Sequence, residues 1–168
     1  MLSFDIRSLE SKAEQVDDSL SPDDPIWEMG DTLPSEPIRV TGRISSAGNG
    51  RFYFTGRMAS RIKLPCRLCL EDVEVAVEDE VHFLLAEADT DEADDPDVFI
   101  FDANARELDL RPAIRENWLL LAPAYAQCRD DCKGLCASCG KNLNEAECDC
   151  VPVKGDSRWD ALLPLKGS

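Results

Sequence analysis

The chain has 168 residues, with 34 acidic and 18 basic side chains, one histidine and a formal net charge of -16. Its 43% hydrophobic and 31% charged residues are typical of a soluble globular protein with one core and a small additional module. The start, MLSFDIRSLESKAEQ, lacks the features of a secretory signal, and no apolar run approaches the roughly 18 residues of a membrane span. These features predict a cytoplasmic protein without a membrane partner.

The first segment, residues 1–34, is predicted to contain a short strand and an acidic loop or helix. SFDIRS at 3–8 favours the strand. The stretch from 11 to 31 is polar, acidic and interrupted by prolines, which favours a loop or a weak helix.

Residues 36–86 have the alternating pattern of β-strands. The apolar residues of the first two predicted strands are even-numbered, from Ile38 to Leu64, and the basic residues are odd-numbered. Because side chains alternate between the two faces of a strand, one face is predicted to be apolar and the other basic. The basic residues are Arg39, Arg43, Arg51, Arg57, Arg61, Lys63 and Arg67, a local charge of +7.

This basic face has two interpretations. With Tyr53 among the seven cations, it predicts an RNA-binding surface on which a base could stack. The next predicted strand, EDVEVAVEDEVHFLLAE, exposes Glu74, Glu78 and Glu80, however, and these acids could instead form cross-strand ion pairs with the arginines. His82 alternates with the acids and is assigned no role.

The rest of the core is predicted to contain one strand and one helix. An acidic loop at 87–97 precedes the strand VFIF, and Asp109 is expected to cap a helix that continues to about Leu121. The predicted fold class is α+β: an antiparallel β-sheet or partly open barrel with one packed helix. The β-rich core spans 35–126, and a cysteine-rich zinc-binding tail with a short C-terminal helix spans 127–168.

All eight cysteines fall into short-spaced pairs: Cys66/Cys69, Cys128/Cys132, Cys136/Cys139 and Cys148/Cys150. In a reducing compartment such clusters favour metal over disulfides. Four thiolates satisfy tetrahedral zinc in a closed, structural site. The spacing matches neither the ferredoxin iron–sulfur motif nor a thioredoxin-like unit.

The partition of the cysteines between sites stays open at the level of sequence. The last two pairs form the most compact quartet, although Cys-x-Cys is an unusual zinc spacing. The first two pairs could form a second site, or a single zinc could bind and leave other thiols spare. We therefore expect one or two structural Zn²⁺ ions.

The tail stretch CKGLCASCGKNLNEAECDC, with CRLCLE upstream and SRWDALLPL downstream, resembles the YceD family of large-subunit ribosomal RNA accumulation proteins. Two positions depart from the family pattern: Leu68 stands where an arginine is usual, and Ala137 where a proline is usual. The resemblance implies a non-enzymatic role in the accumulation of 23S rRNA or its precursor through RNA binding, with no catalytic residues and no small-molecule substrate.

Three functions follow from these features. The first is a zinc-stabilised ribosome biogenesis factor that binds large-subunit rRNA or its precursor. The second is an acidic adaptor for basic ribosomal or assembly proteins, which the net charge favours because it repels RNA. A redox or metal-handling protein is the third, and the poor match to redox motifs disfavours it.

Overall fold

The described residues of the computed structural model, 2–88 and 98–150, divide into two units. Unit 1 comprises Met1–Leu64 and Glu74–Ala124, and unit 2 comprises Pro65–Val73 and Tyr125–Ser168. Most of the predicted acidic loop, at 89–97, and the predicted C-terminal helix, within 151–168, lie outside the described residues. Among the described helices, none has the length and apolar character that crossing a bilayer requires.

The main sheet has five strands: β2 (Glu14–Leu20), β3 (Ile38–Gly48), β4 (Arg51–Pro65), β5 (Asp72–Glu87) and β6 (Val98–Phe101). They lie in that order across an open sheet. Strand β3 pairs antiparallel with β2 and β4. Contacts of Thr55 with His82 and of Arg57 with Glu78 run in opposite directions along β4 and β5, as in an antiparallel pair. Strand β6 is parallel to β5, so the sheet is mixed.

Smaller elements complete unit 1. Strands β1 (Ser3–Asp5) and β7 (Glu107–Asp109) form a separate antiparallel pair. Helix α1 (Ile6–Ser11) begins where the Asp5 carboxylate accepts a 2.9 Å hydrogen bond from the Ser8 amide. Helix α2 (Arg111–Leu121) buries Ala113, Ile114 and Trp118. The α+β class, with a largely antiparallel open sheet and one packed helix, is confirmed.

The alternating pattern correctly identifies the apolar face of the sheet. The buried residues of β3 and β4 are even-numbered, and they share one core with β5 and α2. Leu64 is only partly buried. Phe54 is fully buried, and its ring stacks on that of Phe83 with centroids 4.7 Å apart.

Three predicted local structures differ from the structure. Of the strand predicted at 3–8, only Ser3–Asp5 is a strand, because helix α1 begins at Ile6. Residues Glu14–Leu20 form strand β2 rather than a loop or weak helix. Only Val16 and Leu20 of this strand are buried, and the acids between them hide its pattern. Helix α2 starts at Arg111 rather than at Asp109, which belongs to β7. The Asp109 carboxylate still accepts a hydrogen bond of 2.9 Å from the first amide of the helix.

The connection between β2 and β3 is held on α2 by polar contacts. Arg115 on α2 makes a bidentate pair with Asp31, at 2.7 and 2.9 Å. The Trp118 indole donates a hydrogen bond of 2.7 Å to the carbonyl oxygen of Thr32. Hydrogen bonds from the Arg115 side chain and the Glu28 amide lower the pKa of Asp31. These contacts fix a connection that has no helix or strand of its own.

A glycine pair makes room for Phe54. Gly42 and Gly56 are partners across β3 and β4, and a Cβ atom on Gly56 would lie 2.7 Å from Cζ of Phe54. We predict that Gly56→Ala destabilises the protein by about 1–3 kcal/mol, because the added Cβ would clash with the Thr41 carbonyl oxygen and the Phe54 ring, so that backbone and core must both shift. Chemical denaturation measures the effect. Ser45→Ala, on a neighbouring strand, is the control, and equal stability of both variants would contradict the packing.

Candidate metal centres and the charged sheet face

Two turns of unit 2 have the same backbone geometry. In the turn from Cys66 to Leu70, the Leu70 amide donates to the Cys66 carbonyl at 2.9 Å, and the Cys66 amide donates to the Glu71 carbonyl at 2.7 Å. In the turn from Cys136 to Gly140, the Gly140 amide donates to the Cys136 carbonyl, and the Cys136 amide donates to the Lys141 carbonyl. Both hydrogen bonds are 2.9 Å long. Each Cys-x-x-Cys pair is therefore held on a preformed loop, as zinc-binding turns require.

Each turn also stabilises the thiolate of its first cysteine. Amide hydrogen bonds from Cys69 and Leu68 lower the pKa of Cys66 to about 6. Amides of Cys139 and Ser138 likewise lower the pKa of Cys136 to about 6. Because the thiolate is the form that binds metal, each turn offers one ligand already ionised near neutral pH.

The first cluster combines the Cys66 turn with Cys128 and Cys132. The sulfur atoms of Cys66 and Cys132 lie 3.9 Å apart, and those of Cys69 and Cys128 lie 3.7 Å apart. A disulfide requires about 2.05 Å, which excludes a bond within these pairs. A tetrahedral zinc with Zn–S bonds of about 2.3 Å separates its sulfur ligands by roughly 3.8 Å. The donor set and its spacing fit zinc.

The second cluster combines the Cys136 turn with Cys148 and Cys150. Within each cluster all four sulfur atoms lie within 4.8 Å of one another. The thiols of Cys139 and Cys136 raise the pKa of Cys150 to about 12, because a second thiolate beside them is unfavourable. The structure thus brings the eight cysteines together as two groups of four.

Two asparagines connect the second turn to the first cluster. The Asn144 amide nitrogen lies 3.4 Å from the sulfur of Cys132, and its oxygen accepts a 2.9 Å bond from the Lys133 amide. The Asn142 oxygen accepts from the Asn144 side chain at 2.8 Å, and its nitrogen donates to Glu71 at 3.2 Å. From the sequence, the asparagines of GKNLNEAE were expected only to help the chain reverse before Cys148. Their contacts with the first cluster were not predicted.

The described part of unit 2 has almost no apolar core. Its buried apolar residues are Cys66, Cys69 and Ala126, and no residue of this unit belongs to the main hydrophobic cluster. A unit of this kind needs cross-links or metal to remain folded. The two clusters are the groups that can supply that stabilisation.

The predicted basic face of the sheet in unit 1 carries both signs of charge. Arg57 contacts Glu78 at 2.8 Å and Glu80 at 3.8 Å. Arg61 contacts Glu74 at 3.8 Å and Glu36 at 3.7 Å. The side chains remain 51–69% exposed, so each pair stabilises the fold by about 0–1 kcal/mol. The pairs nevertheless offset the positive charge locally.

The other candidate RNA-binding residues differ in their contacts and in the unit to which they belong. Arg39 pairs with Asp17 at 3.2 Å, and Arg51 donates to the Gly48 carbonyl at 3.2 Å. Arg43 and Lys63 are exposed. Arg67 does not belong to unit 1; in unit 2 it donates to Gln127 at 2.8 Å.

Tyr53 pairs with the single histidine on the exposed face. The two rings are nearly parallel, with an interplanar angle of 3° and centroids 6.4 Å apart. Nδ1 of His82 also lies 2.9 Å from the Thr55 hydroxyl. Tyr53 is 40% exposed, so one aromatic surface remains accessible on this face.

We predict that Cys66→Ser lowers stability more than Cys136→Ser. Cys66 and Cys69 are buried and their cluster includes the contact from Asn144, whereas no cysteine of the second cluster is buried. Each variant should lose one zinc ion per chain. Thermal melts measure the stability, and metal analysis measures the zinc content. A larger loss of stability for Cys136→Ser than for Cys66→Ser would contradict the prediction.

Zinc affinity should fall as the pH is lowered, because zinc binds the thiolate form of cysteine and protons compete with the metal for it. In the folded clusters, backbone amides lower the pKa of Cys66 and of Cys136 to about 6, which favours these two thiolates. A titration with a competing chelator at several pH values measures the affinity. An affinity that does not change with pH would contradict ligation by thiolates.

The family comparison covers the sheet from within β4 onward and the cysteine-rich tail. Residues 54–166 match the model of the large ribosomal RNA subunit accumulation protein YceD. A chloroplastic YCED homolog 1 from Zea mays is 28% identical over 97% of this chain and 63% of its own length. Its counterpart from Arabidopsis thaliana is 37% identical over 39% of this chain and 21% of its own length.

The chain spans less than two thirds of the length of these two relatives. No solved structure matches it significantly. The match to the family model extends over more than half of the sequence, and it includes all eight cysteines. This chain belongs to the YceD family of large ribosomal RNA subunit accumulation proteins.

Proposed function

We propose that this chain promotes the accumulation of large-subunit rRNA as a non-enzymatic ribosome biogenesis factor in the cytoplasm, stabilised by two structural zinc ions. The names of its relatives support the role in rRNA accumulation. Four-thiolate sites are normally closed and structural, which supports a stabilising rather than a catalytic role for the metal. The residues that would hold the zinc ions are the eight cysteines of the two clusters.

The mode of action that the geometry favours is an acidic adaptor, which contacts basic ribosomal or assembly proteins. The observation that carries this choice is the pairing of Arg57 and Arg61 with four glutamates. Those arginines are central to the sheet face, and their charge is offset by their neighbours. A net charge of -16 repels RNA and attracts basic proteins.

Direct binding of the rRNA precursor is the second candidate. Tyr53 supports it, because the tyrosine is partly exposed and lies near exposed Arg43 on the neighbouring strand. Aromatic rings beside cations are the usual platform for single-stranded bases. In this candidate Arg39, Arg43, Arg51, Arg57, Arg61 and Lys63 contact phosphates, and Arg67 contributes from unit 2.

Ribonuclease treatment separates the two candidates. Large-subunit precursor particles are purified through the tagged chain, treated with ribonuclease and analysed for the proteins that stay bound. The adaptor predicts that basic ribosomal or assembly proteins remain attached. Loss of all partners would favour direct RNA binding, and absence of the chain from precursor particles would contradict both.

Reversing the two paired arginines gives a second test. We predict that Arg57→Glu with Arg61→Glu lowers stability by roughly 1–2 kcal/mol, because like charges then face each other across β4 and β5. Binding to large-subunit rRNA fragments should scarcely change. A thermal melt and a salt titration on the same variant measure the two effects. If stability is unchanged while RNA binding becomes weaker and depends less steeply on salt, these arginines instead contact RNA.

A further inference from the structure

The two equivalent turns of unit 2 differ at their last residue. Gly140 has a φ of 71° and Leu70 has a φ of 63°, so both adopt the left-handed conformation. Glycine takes this conformation freely, whereas a leucine there is strained. Leu70 is also 62% exposed, so burial against the described part of the chain does not compensate for the strain. The turn itself would form at least as well with glycine.

Leu70 is accompanied by two other exposed large side chains. Leu68, in the same turn, is 39% exposed, and Tyr125 is 64% exposed. Arg67, in the same turn, contacts the segment that carries Tyr125: its guanidinium carbon is 5.1 Å from the Tyr125 ring centre, its amide donates to the Ala126 carbonyl at 2.8 Å, and its side chain donates to Gln127. We call Leu68, Leu70 and Tyr125 the turn surface. Clustered apolar side chains in a solvent-exposed turn are typical of a protein contact.

The charge around the turn surface indicates the chemistry of the partner. The described part of unit 2 has seven acids and four bases: Glu71, Asp72, Asp130, Asp131, Glu145, Glu147 and Asp149 against Arg67, Arg129, Lys133 and Lys141. Arg129 is itself paired with Asp131 at 3.3 Å. A zinc ion with four thiolates adds further negative charge. Phosphates are repelled by such a unit, and a basic polypeptide is attracted.

We propose that the turn surface is a docking site for a basic segment of a protein partner that also presents apolar side chains. The apolar contacts with Leu70, Leu68 and Tyr125 provide the anchors. The surrounding acids, among them Glu71 and Asp72 directly after the turn, orient the basic segment. This inference rests on the adaptor role proposed above, and it assigns that role to specific residues.

Leu70→Gly tests the proposal because it removes the anchor without disturbing the turn. The zinc-loaded full chain is mixed with the proteins extracted, free of RNA, from large-subunit precursor particles, which contain ribosomal and assembly proteins. A bound basic protein is identified, and its dissociation constant is then measured with the purified pair. Leu70→Gly should weaken binding about tenfold or more, the effect expected from loss of an anchor side chain. Its zinc content should be unchanged and its melting temperature unchanged or higher.

Leu120→Ala is the matched control. Leu120 is 82% exposed but belongs to unit 1, so its removal should leave the affinity within about twofold, as for a residue outside the contact. Leu70→Asn is a second variant that also tolerates left-handed backbone, and it should behave like Leu70→Gly.

Three results would overturn the proposal. Wild-type affinity in both Leu70 variants would rule out the docking site and leave the adaptor role intact. Absence of binding by the wild type to any large-subunit protein would contradict the adaptor role and the docking site together. Loss of binding to a single-stranded rRNA fragment in Leu70→Gly, with protein binding unchanged, would assign the surface to RNA.

Discussion

The fold of unit 2 depends on bringing four thiolates to one point. Sulfur atoms 3.7 and 3.9 Å apart are too distant for disulfides, and as thiolates they repel one another unless a cation lies between them. The described part of this unit buries almost no apolar side chains apart from cysteine. Its folding free energy is therefore expected to come largely from metal binding, whereas unit 1 has a hydrophobic core of its own.

The two cysteine clusters have the same arrangement of pairs but differ in their surroundings. Each begins with a Cys-x-x-Cys turn that lowers the pKa of its first thiol, and each is completed by a second cysteine pair. The first cluster contains fully buried Cys66 and is contacted by Asn144. The first turn also ends in strained, exposed Leu70 where the second has Gly140. That difference is not needed for holding metal, which is why we assign it to recognition.

The sequence predicted what depends on neighbouring residues and missed what depends on long-range pairing. Alternation along β3 and β4 identified the buried face, and the cysteine spacing identified the pairs. Strand β2 was missed because its register with β3, rather than its own acidic sequence, determines its structure. The parallel placement of β6 likewise has no local signal. The contacts of Asn142 and Asn144 became visible only with the fold, because each bonds residues from another loop.

X-ray absorption at the zinc edge tests the central claim, using protein purified without added metal. We expect two zinc ions per chain, each with four sulfur ligands at about 2.3 Å and no nitrogen or oxygen ligand. Absence of zinc, with free and reduced thiols, would contradict it. Nitrogen or oxygen ligands in the first shell would also contradict it, because the two four-cysteine clusters would not then be the metal sites.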